Sequence, residues 1–240
     1  MKNFLFDVDG TLTPHRQPMT DDFKHFFMKM LRNKGNDEKV FLVTGSDKQK
    51  TIEQVGHAIW HSVDGAYQNC GNQLYVDGQL IKQSEWELSG GLEQSVKHQI
   101  RKSVWNGTAE RNIEKRVGMA NMTTIGRDCT QEQREYYYEW DQQWKEREHI
   151  IEKLSADYPD IDFAIGGQIS IDIQPKGANK SQASKWLREK FKGCELYFFG
   201  DKITKNGNDY DIAEDIKENK DGKVFNISGP TETIEILQGL

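Results

Sequence analysis

Three apolar runs, each halted by small or acidic residues, constrain this chain more than any other feature. Phe4-Leu5-Phe6 stops at Asp7 with Gly10 close behind, Val40-Phe41-Leu42-Val43 stops at Thr44-Gly45-Ser46, and Leu196-Tyr197-Phe198-Phe199 stops at Gly200-Asp201. Unbroken apolar runs of this length suit strands buried on both faces. Helical patterns lie between them. Thr20 suits an N-cap, Asp21 and Asp22 suit a first turn, and Phe23, Phe26, Phe27, Met30 and Leu31 form a stripe that ends at Gly35. Residues 47–57 and 180–191 also read as helices, Val63 opens a short extended segment, 224–228 is a last strand, and a helix follows from Thr231. Strand, loop and helix in repetition imply an α/β fold with a parallel sheet covered by helices.

The repetition lapses in the middle. Asp77-Gly78, between the apolar residues of 74–81, reads as a β-hairpin turn. Beyond it the pattern predicts a helix over 92–104, a strand over 115–124, a long helix over 131–155 and a strand over 163–173. Without βαβ order this is an inserted α+β domain. The expected division is a core of residues 1–81 and 178–240 and an insertion of 82–177, which 240 residues accommodate.

Charge and cysteine content exclude several classes. The 32 Lys and Arg against 38 Asp and Glu leave a formal charge of −6, which argues against nonspecific nucleic-acid binding and a polybasic membrane anchor. Cys70, Cys129 and Cys194 form no CxxC pair, so neither a zinc site nor a disulfide framework is expected, and a reducing cytoplasm fits. No stretch approaches the ~18 apolar residues that span a bilayer. Asp7 interrupts the start before any apolar run of signal-peptide length.

Chemistry is concentrated at Asp7-Val8-Asp9-Gly10-Thr11. In open α/β sheets ligands bind beyond the carboxyl ends of the strands. One carboxylate there can attack phosphorus and form an aspartyl phosphate, and a second can move a proton on or off a sugar oxygen. Two acids alone repel a phosphate dianion, so the pair calls for a hard cation such as Mg²⁺. Thr44, Gly45 and Ser46 offer hydroxyl and backbone donors to phosphate oxygens, Lys180 offers a positive charge, and Asp201 and Asp209 complete a metal site. A lone pair of acids at a strand end is an ordinary turn; four matching strand ends in order are not.

The insertion carries a second constellation. Thr130-Gln131-Glu132-Gln133 is a capping box; Arg127 precedes that helix start, Arg134 follows in its first turn, and Arg116 lies on the preceding strand. Guanidinium forks beside a helix N-terminus make a phosphate site. Ser170 and Asp172 alternate with Ile169, Ile171 and Ile173, so hydroxyl and carboxylate share one face, as a sugar ligand requires. A solvated sheet face with surface arginines is the competing explanation.

These residues resemble known motifs. Asp7 to Thr13, the Thr44 strand end, Lys180, and Gly200-Asp201-Lys202 with Asn208-Asp209 are similar to the four motifs of the haloacid dehalogenase superfamily, and the insertion is placed like its C2-type cap. Arg116-Val117-Gly118-Met119, Ile125 to Thr130 with Arg134, Gly166 to Asp172, and Thr13-Pro14-His15-Arg16 resemble eukaryotic-type phosphomannomutases over nearly the whole chain. The resemblance implies a Rossmann-like haloacid dehalogenase core plus cap. It implies Asp7 as the phosphoryl-accepting nucleophile and Asp9 as the acid/base, with Mg²⁺ held by Asp7, Asp9 through its main chain, and Asp201. Arg16, Arg116, Arg127, Arg134, Ser170 and Asp172 would then grip the sugar phosphate, and Asp215 falls in the loop of a second cation, although 216–223 looks altered. Val117, Ile165, Asn179 and Asn206 depart from the usual pattern without removing a catalytic group.

Two phosphate sites, one in the core and one in the cap, suit a hexose bisphosphate that turns over between them. The expectation is a phosphomannomutase acting on mannose 6-phosphate and mannose 1-phosphate, primed by a hexose 1,6-bisphosphate and dimeric through its cap. A Mg²⁺-dependent sugar-phosphate phosphatase and a non-catalytic sugar-phosphate binding protein are the alternatives. Hinges are expected near 81 and 178, and the aromatic residues Tyr136, Tyr137, Tyr138, Trp140 and Trp144 belong to either the cap core or a dimer contact.

Overall fold

In the computed structural model, which describes residues 1–240, β1 (Lys2–Phe6) and β2 (Glu38–Val43) pair in parallel, with α1 (Asp21–Asn33) between them in sequence. The Thr20 hydroxyl accepts from the Phe23 N–H, and the helix buries Phe23, Phe27 and Leu31. Next come α2 (Lys48–Val55), capped by Asp47, and the short α3 (His57–Ser62). Gly56 separates them at φ +88°, where a helix cannot continue. β3 (Gly65–Gln68) lies parallel to β2; β4 (Gln73–Val76) and β5 (Gln79–Gln83) return antiparallel around Asp77-Gly78, as the hairpin signal requires.

The insertion contributes α4 (Gly90–Lys102), β6 (Ile113–Arg116), β7 (Met119–Met122), α5 (Gln131–Trp144), α6 (Glu146–Asp157), β8 (Ile161–Ile165) and β9 (Ile171–Pro175). The chain then returns through α7 (Ser181–Lys190), β10 (Glu195–Gly200), α8 (Tyr210–Asn219), β11 (Gly222–Asn226) and α9 (Pro230–Gln238). Two sheets result: a seven-stranded one ordered β11-β10-β1-β2-β3-β4-β5 and a four-stranded one ordered β6-β7-β9-β8. No helix is long and apolar enough to cross a membrane.

The larger sheet is apolar on both faces, as its unbroken runs demand. Phe6, Val40 and Leu42 join α1 and α3 on one side, while Leu5, Phe41 and Val43 meet α7 and α8 on the other. The smaller sheet is covered on one face only. Ala120, Met122, Ile171 and Ile173 pack under Leu92, Val96, Ile151 and Leu154 of its helices. The opposite face carries Asn121 and Asp172 as cross-strand partners.

Three expectations for the insertion need correction. The strand over 115–124 is a hairpin, β6 and β7, turning at Val117-Gly118 with Gly118 at φ +69°. The strand over 163–173 is likewise two antiparallel strands, β8 and β9, parted by the Gly166-Gly167 turn, and Ile169 packs with Ile125 and Tyr137 rather than with Ile171. The long helix breaks at Lys145, which adopts φ +56°. That break lets Arg147 turn back onto Asp141, its backbone N–H at 3.0 Å and its Nε at 2.7 Å from the carboxylate, both side chains buried.

Two features join the sheets. Ile165 of β8 pairs with Gly207: the Asn208 N–H donates to the Ile165 carbonyl at 3.1 Å, and the Ile165 N–H donates to that of Asn206. Asn206 sits at φ +70°, a conformation that asparagine tolerates better than most residues, so glycine is not required there. Asn72 lies beside both passages of the chain between the sheets; its carbonyl accepts from Ser84 N–H at 2.8 Å and its Nδ2 donates to the Ala178 carbonyl at 3.1 Å.

Candidate active site

β10, β1 and β2 are neighbours in one parallel sheet, so their carboxyl ends bring Asp201, Asp7 and Thr44 to one edge. The Asp7 N–H donates to Phe199 O at 2.9 Å, extending the ladder one residue past the strand. Gly10 turns the chain away at φ +86°; a Cβ there would lie 2.6 Å from the Asp201 carboxylate, so the loop passes only as glycine.

Asp7, Asp201 and Asp209 present carboxylate oxygens that all lie within 4.8 Å of one another. Lys180, fully buried at the start of α7, donates to Asp7 at 2.6 Å and Asp209 at 2.7 Å. Burial pushes the Asp7 carboxyl well above its usual range, with Asp209 and Asp201 adding to the rise and Lys180 opposing it. Burial and Asp209 likewise raise Asp201, against Lys202. Three crowded oxygen donors with one shared ammonium fit a hard divalent cation, which relieves that repulsion.

Asp9 behaves differently. Burial would raise its carboxyl, but Lys50 at 2.9 Å, the Arg16 N–H at 2.7 Å and Gln54 at 2.8 Å outweigh it and lower it to about 2. It is therefore ionised, two residues along the chain from Asp7.

The polar face of the smaller sheet looks onto this edge. Arg116 donates to Gly45 O at 2.6 Å, so a guanidinium of the insertion touches the strand end after β2. Arg127 contacts Glu114 and Asn121, and the buried Arg134 donates to the Arg127 carbonyl. The capping box starting α5 is formed by Thr130 and Gln133 and sets Arg134 on the first turn. Asp172 accepts from Asn121 at 2.6 Å and from Asn208 at 3.1 Å.

One narrow, strongly polar cleft lies between the two faces, with Ile169 as its only apolar lining residue. The core side supplies Asp7, Asp9, Arg16, Thr44, Gly45, Ser46 and Asp201 to it. The insertion supplies Arg116, Arg127, Arg134, Ser170 and Asp172. Lys180 and Asp209 stand behind the lining. Asp215 does not join them. Its carboxylate is bound by Ser184 and, at 2.6 Å, by Arg188, whose guanidinium also holds Asp221. An arginine thus supplies the positive charge for which a second cation loop was expected.

Sequence reasoning missed Lys50 as the partner of Asp9, and Glu114 and Asn121 as partners of the cap arginines. Lys50 reaches Asp9 by the rotation of α2, and Glu114 and Asn121 face each other by strand register. Neither relation leaves a local sequence signal.

A family model for eukaryotic phosphomannomutases matches residues 24–240. The chain belongs to the eukaryotic phosphomannomutase family. The strand end with Asp7 and Asp9 lies ahead of that match and is placed by its geometry. Among phosphomannomutase relatives, that of Drosophila melanogaster is 34% identical over 224 residues, covering 88% of this chain and 85% of its own. That of Solanum lycopersicum is 35% identical over 242 residues, covering 96% and 90%. Solved structures bear on the fold alone. A subclass IIB sugar phosphatase of the haloacid dehalogenase superfamily superimposes with a TM-score of 0.60 at 16% identity, covering both chains completely. An IMP-nucleotidase of Plasmodium falciparum gives 0.67 at 14% identity over 99% of this chain and 69% of its own. This phosphomannomutase-family chain therefore has a Rossmann-like haloacid dehalogenase core, and the insertion is its cap.

Proposed function

We propose that the chain interconverts mannose 6-phosphate and mannose 1-phosphate through a phosphoryl group carried on Asp7, with a hexose 1,6-bisphosphate as the primer. One observation carries the reading: the carboxylates of the core and the guanidiniums of the cap line a single cleft. A phosphatase needs one phosphate site; this cleft offers two, at opposite faces. Asp7 attacks one phosphate of the bisphosphate while the cap arginines hold the other; the P–O bond to the sugar breaks, and the sugar oxygen leaves as a hydroxyl with a proton delivered through Asp9. Asp9, ionised, takes the proton of the sugar hydroxyl when the phosphoryl group returns. Lys180 holds Asp7 in place and offsets its charge. Asp7, Asp201, Asp209 and the Asp9 main chain would hold Mg²⁺, which would supply charge neutralisation at the transferring group. Release and re-entry in the opposite orientation complete the isomerisation, and excluding water from the closed cleft favours transfer over hydrolysis. The same chemistry serves glucose phosphates.

The reading extends to the whole molecule. The body expected from residues 1–81 with 178–240 runs on to Gln83, because β5 stays paired that far, and the insertion forms the other body, hinged just past 83 and near 178. Supporting this, each sheet has its own apolar core. A homodimer through the cap accounts for exposed Tyr136, Trp144 and Val104 beside the packed Trp105, Tyr137 and Trp140. A cytoplasmic setting suits the three free, buried thiols.

The test is an assay of mannose and glucose 1-phosphates with and without a hexose 1,6-bisphosphate. Isomerisation that depends on the bisphosphate, with little free phosphate, is expected; steady phosphate release instead would make the protein a phosphatase. Asp7→Asn is expected to abolish both activities. Arg127→Ala is expected to slow isomerisation at least tenfold more than hydrolysis of an aryl phosphate, roughly the weight of a charge-assisted contact. Equal losses would remove the cap phosphate site from the scheme.

A further inference from the structure

Glu114 is placed among the cap guanidiniums without lining the cleft. It stands on β6 two residues before Arg116, so both side chains share a face. Its carboxylate accepts from Arg116 Nε at 3.1 Å and Nη2 at 3.2 Å, and it also binds Arg127 Nε. Register continues the row. Glu114 faces Asn121 on β7, and Asn121 faces Asp172 on β9. Arg127 bridges the first two, through Glu114 and the Asn121 side-chain Oδ1. Asn121 passes the contact on by donating to Asp172 at 2.6 Å.

The balance of charge in this row is uneven. Arg16, Arg116, Arg127 and Arg134 all border the cleft, and Glu114 is the acid that pairs with two of them. Burial and the neighbouring Arg116 push the Arg127 guanidinium down to about 10 even with Glu114 beside it. Despite burial, Arg116, held by Glu114, is shifted the other way, upward; of the four guanidiniums, Glu114 offsets two, and so already takes part of what a ligand's phosphate would offer. Arg116 and Arg127 have Nε groups and guanidinium edges engaged by this internal anion before any phosphate arrives.

We propose that Glu114 is a positioning residue and internal counter-charge of the cap: it aligns Arg116 and Arg127, and it competes with the ligand's far phosphate for them. The competition limits how tightly the cap holds a bisphosphate, which lets the intermediate leave and turn round. The second half rests on the mutase reading above; the first does not.

Binding of a hexose 1,6-bisphosphate with Mg²⁺, followed by calorimetry in an Asp7→Asn background that prevents turnover, tests it. Adding Glu114→Gln, which keeps an acceptor oxygen but removes the charge, is expected to tighten binding about two- to fivefold, the range of a partly exposed ion pair. Adding Arg127→Ala is expected to weaken it. With Asp7 intact, Glu114→Gln is expected to lower both KM and kcat for isomerisation while aryl phosphate hydrolysis stays within about twofold. Unchanged or weaker bisphosphate binding in the Gln variant would overturn the proposal and leave Glu114 a structural residue. If that variant does not fold, Glu114→Ala, which also removes the charge, takes its place with the same two outcomes. Isomerase activity absent from the parent chain, with the binding pattern intact, would remove the mutase reading and leave the counter-charge standing.

Discussion

Asp64 and Asp9 are both carboxylates whose ionisation is decided by what donates to them. Burial would raise Asp64, but Lys34, Lys39 at 2.8 Å and the Val40 N–H at 2.8 Å lower it. The group thereby ties the C-terminal end of α1 to β2. Its folded carboxyl lies below its unfolded value, so this contribution is complete above about pH 4 and is lost as pH falls through the folded value. Asp64→Asn is expected to cost about 1–3 kcal/mol at pH 7, with the gap to the parent narrowing as pH falls below about 4; urea midpoints at pH 7 and in acid measure it. The acids at strand ends were legible in the sequence because an apolar run, a carboxylate and a glycine follow one another there. Lys50 and Glu114 were not, since each acts across a gap in sequence that only helix rotation or strand register closes.

At the scale of elements, the sequence was most informative where one local rule governs. The Asp77-Gly78 turn, the Thr20 cap and the Thr130 capping box all formed as read. It misled where a tertiary contact overrides a continuous pattern. Residues 131–155 carry an unbroken helical signal, yet Lys145 takes a left-handed conformation so that Arg147 can meet Asp141 in the interior. Lysine pays a steric penalty there that glycine avoids. Lys145→Gly is expected to stabilise the cap by about 1 kcal/mol, and to raise the melting temperature, because the exposed Lys145–Glu148 pair at 3.2 Å contributes little in return. A lower melting temperature would show that the break is not set by that residue's backbone. The missed hairpins at Gly118 and Gly166 have the same origin: strand pairs closed by one short turn keep their alternation, and the reversal hides inside it.

At the scale of the molecule, the sequence showed that there was an insertion but not how it faces the core. That relation depends on contacts such as Ile165 with Gly207, Arg116 with Gly45 and Asn208 with Asp172, none of them between neighbours in the chain. Asn208 precedes Asp209, so cap contact and the carboxylate cluster meet on one loop. Asn208→Ala is expected to loosen closure and admit water, raising the ratio of phosphate released to isomer formed several-fold; an unchanged ratio would mean that this amide plays no part in sealing the cleft. Asn72 carries a different consequence. One asparagine grips the outgoing chain at Ser84 and the incoming chain at Ala178. With both tethers fastened to a single bearing, a cap that swings as proposed would have one axle, and its arginines would meet each new ligand in the same alignment.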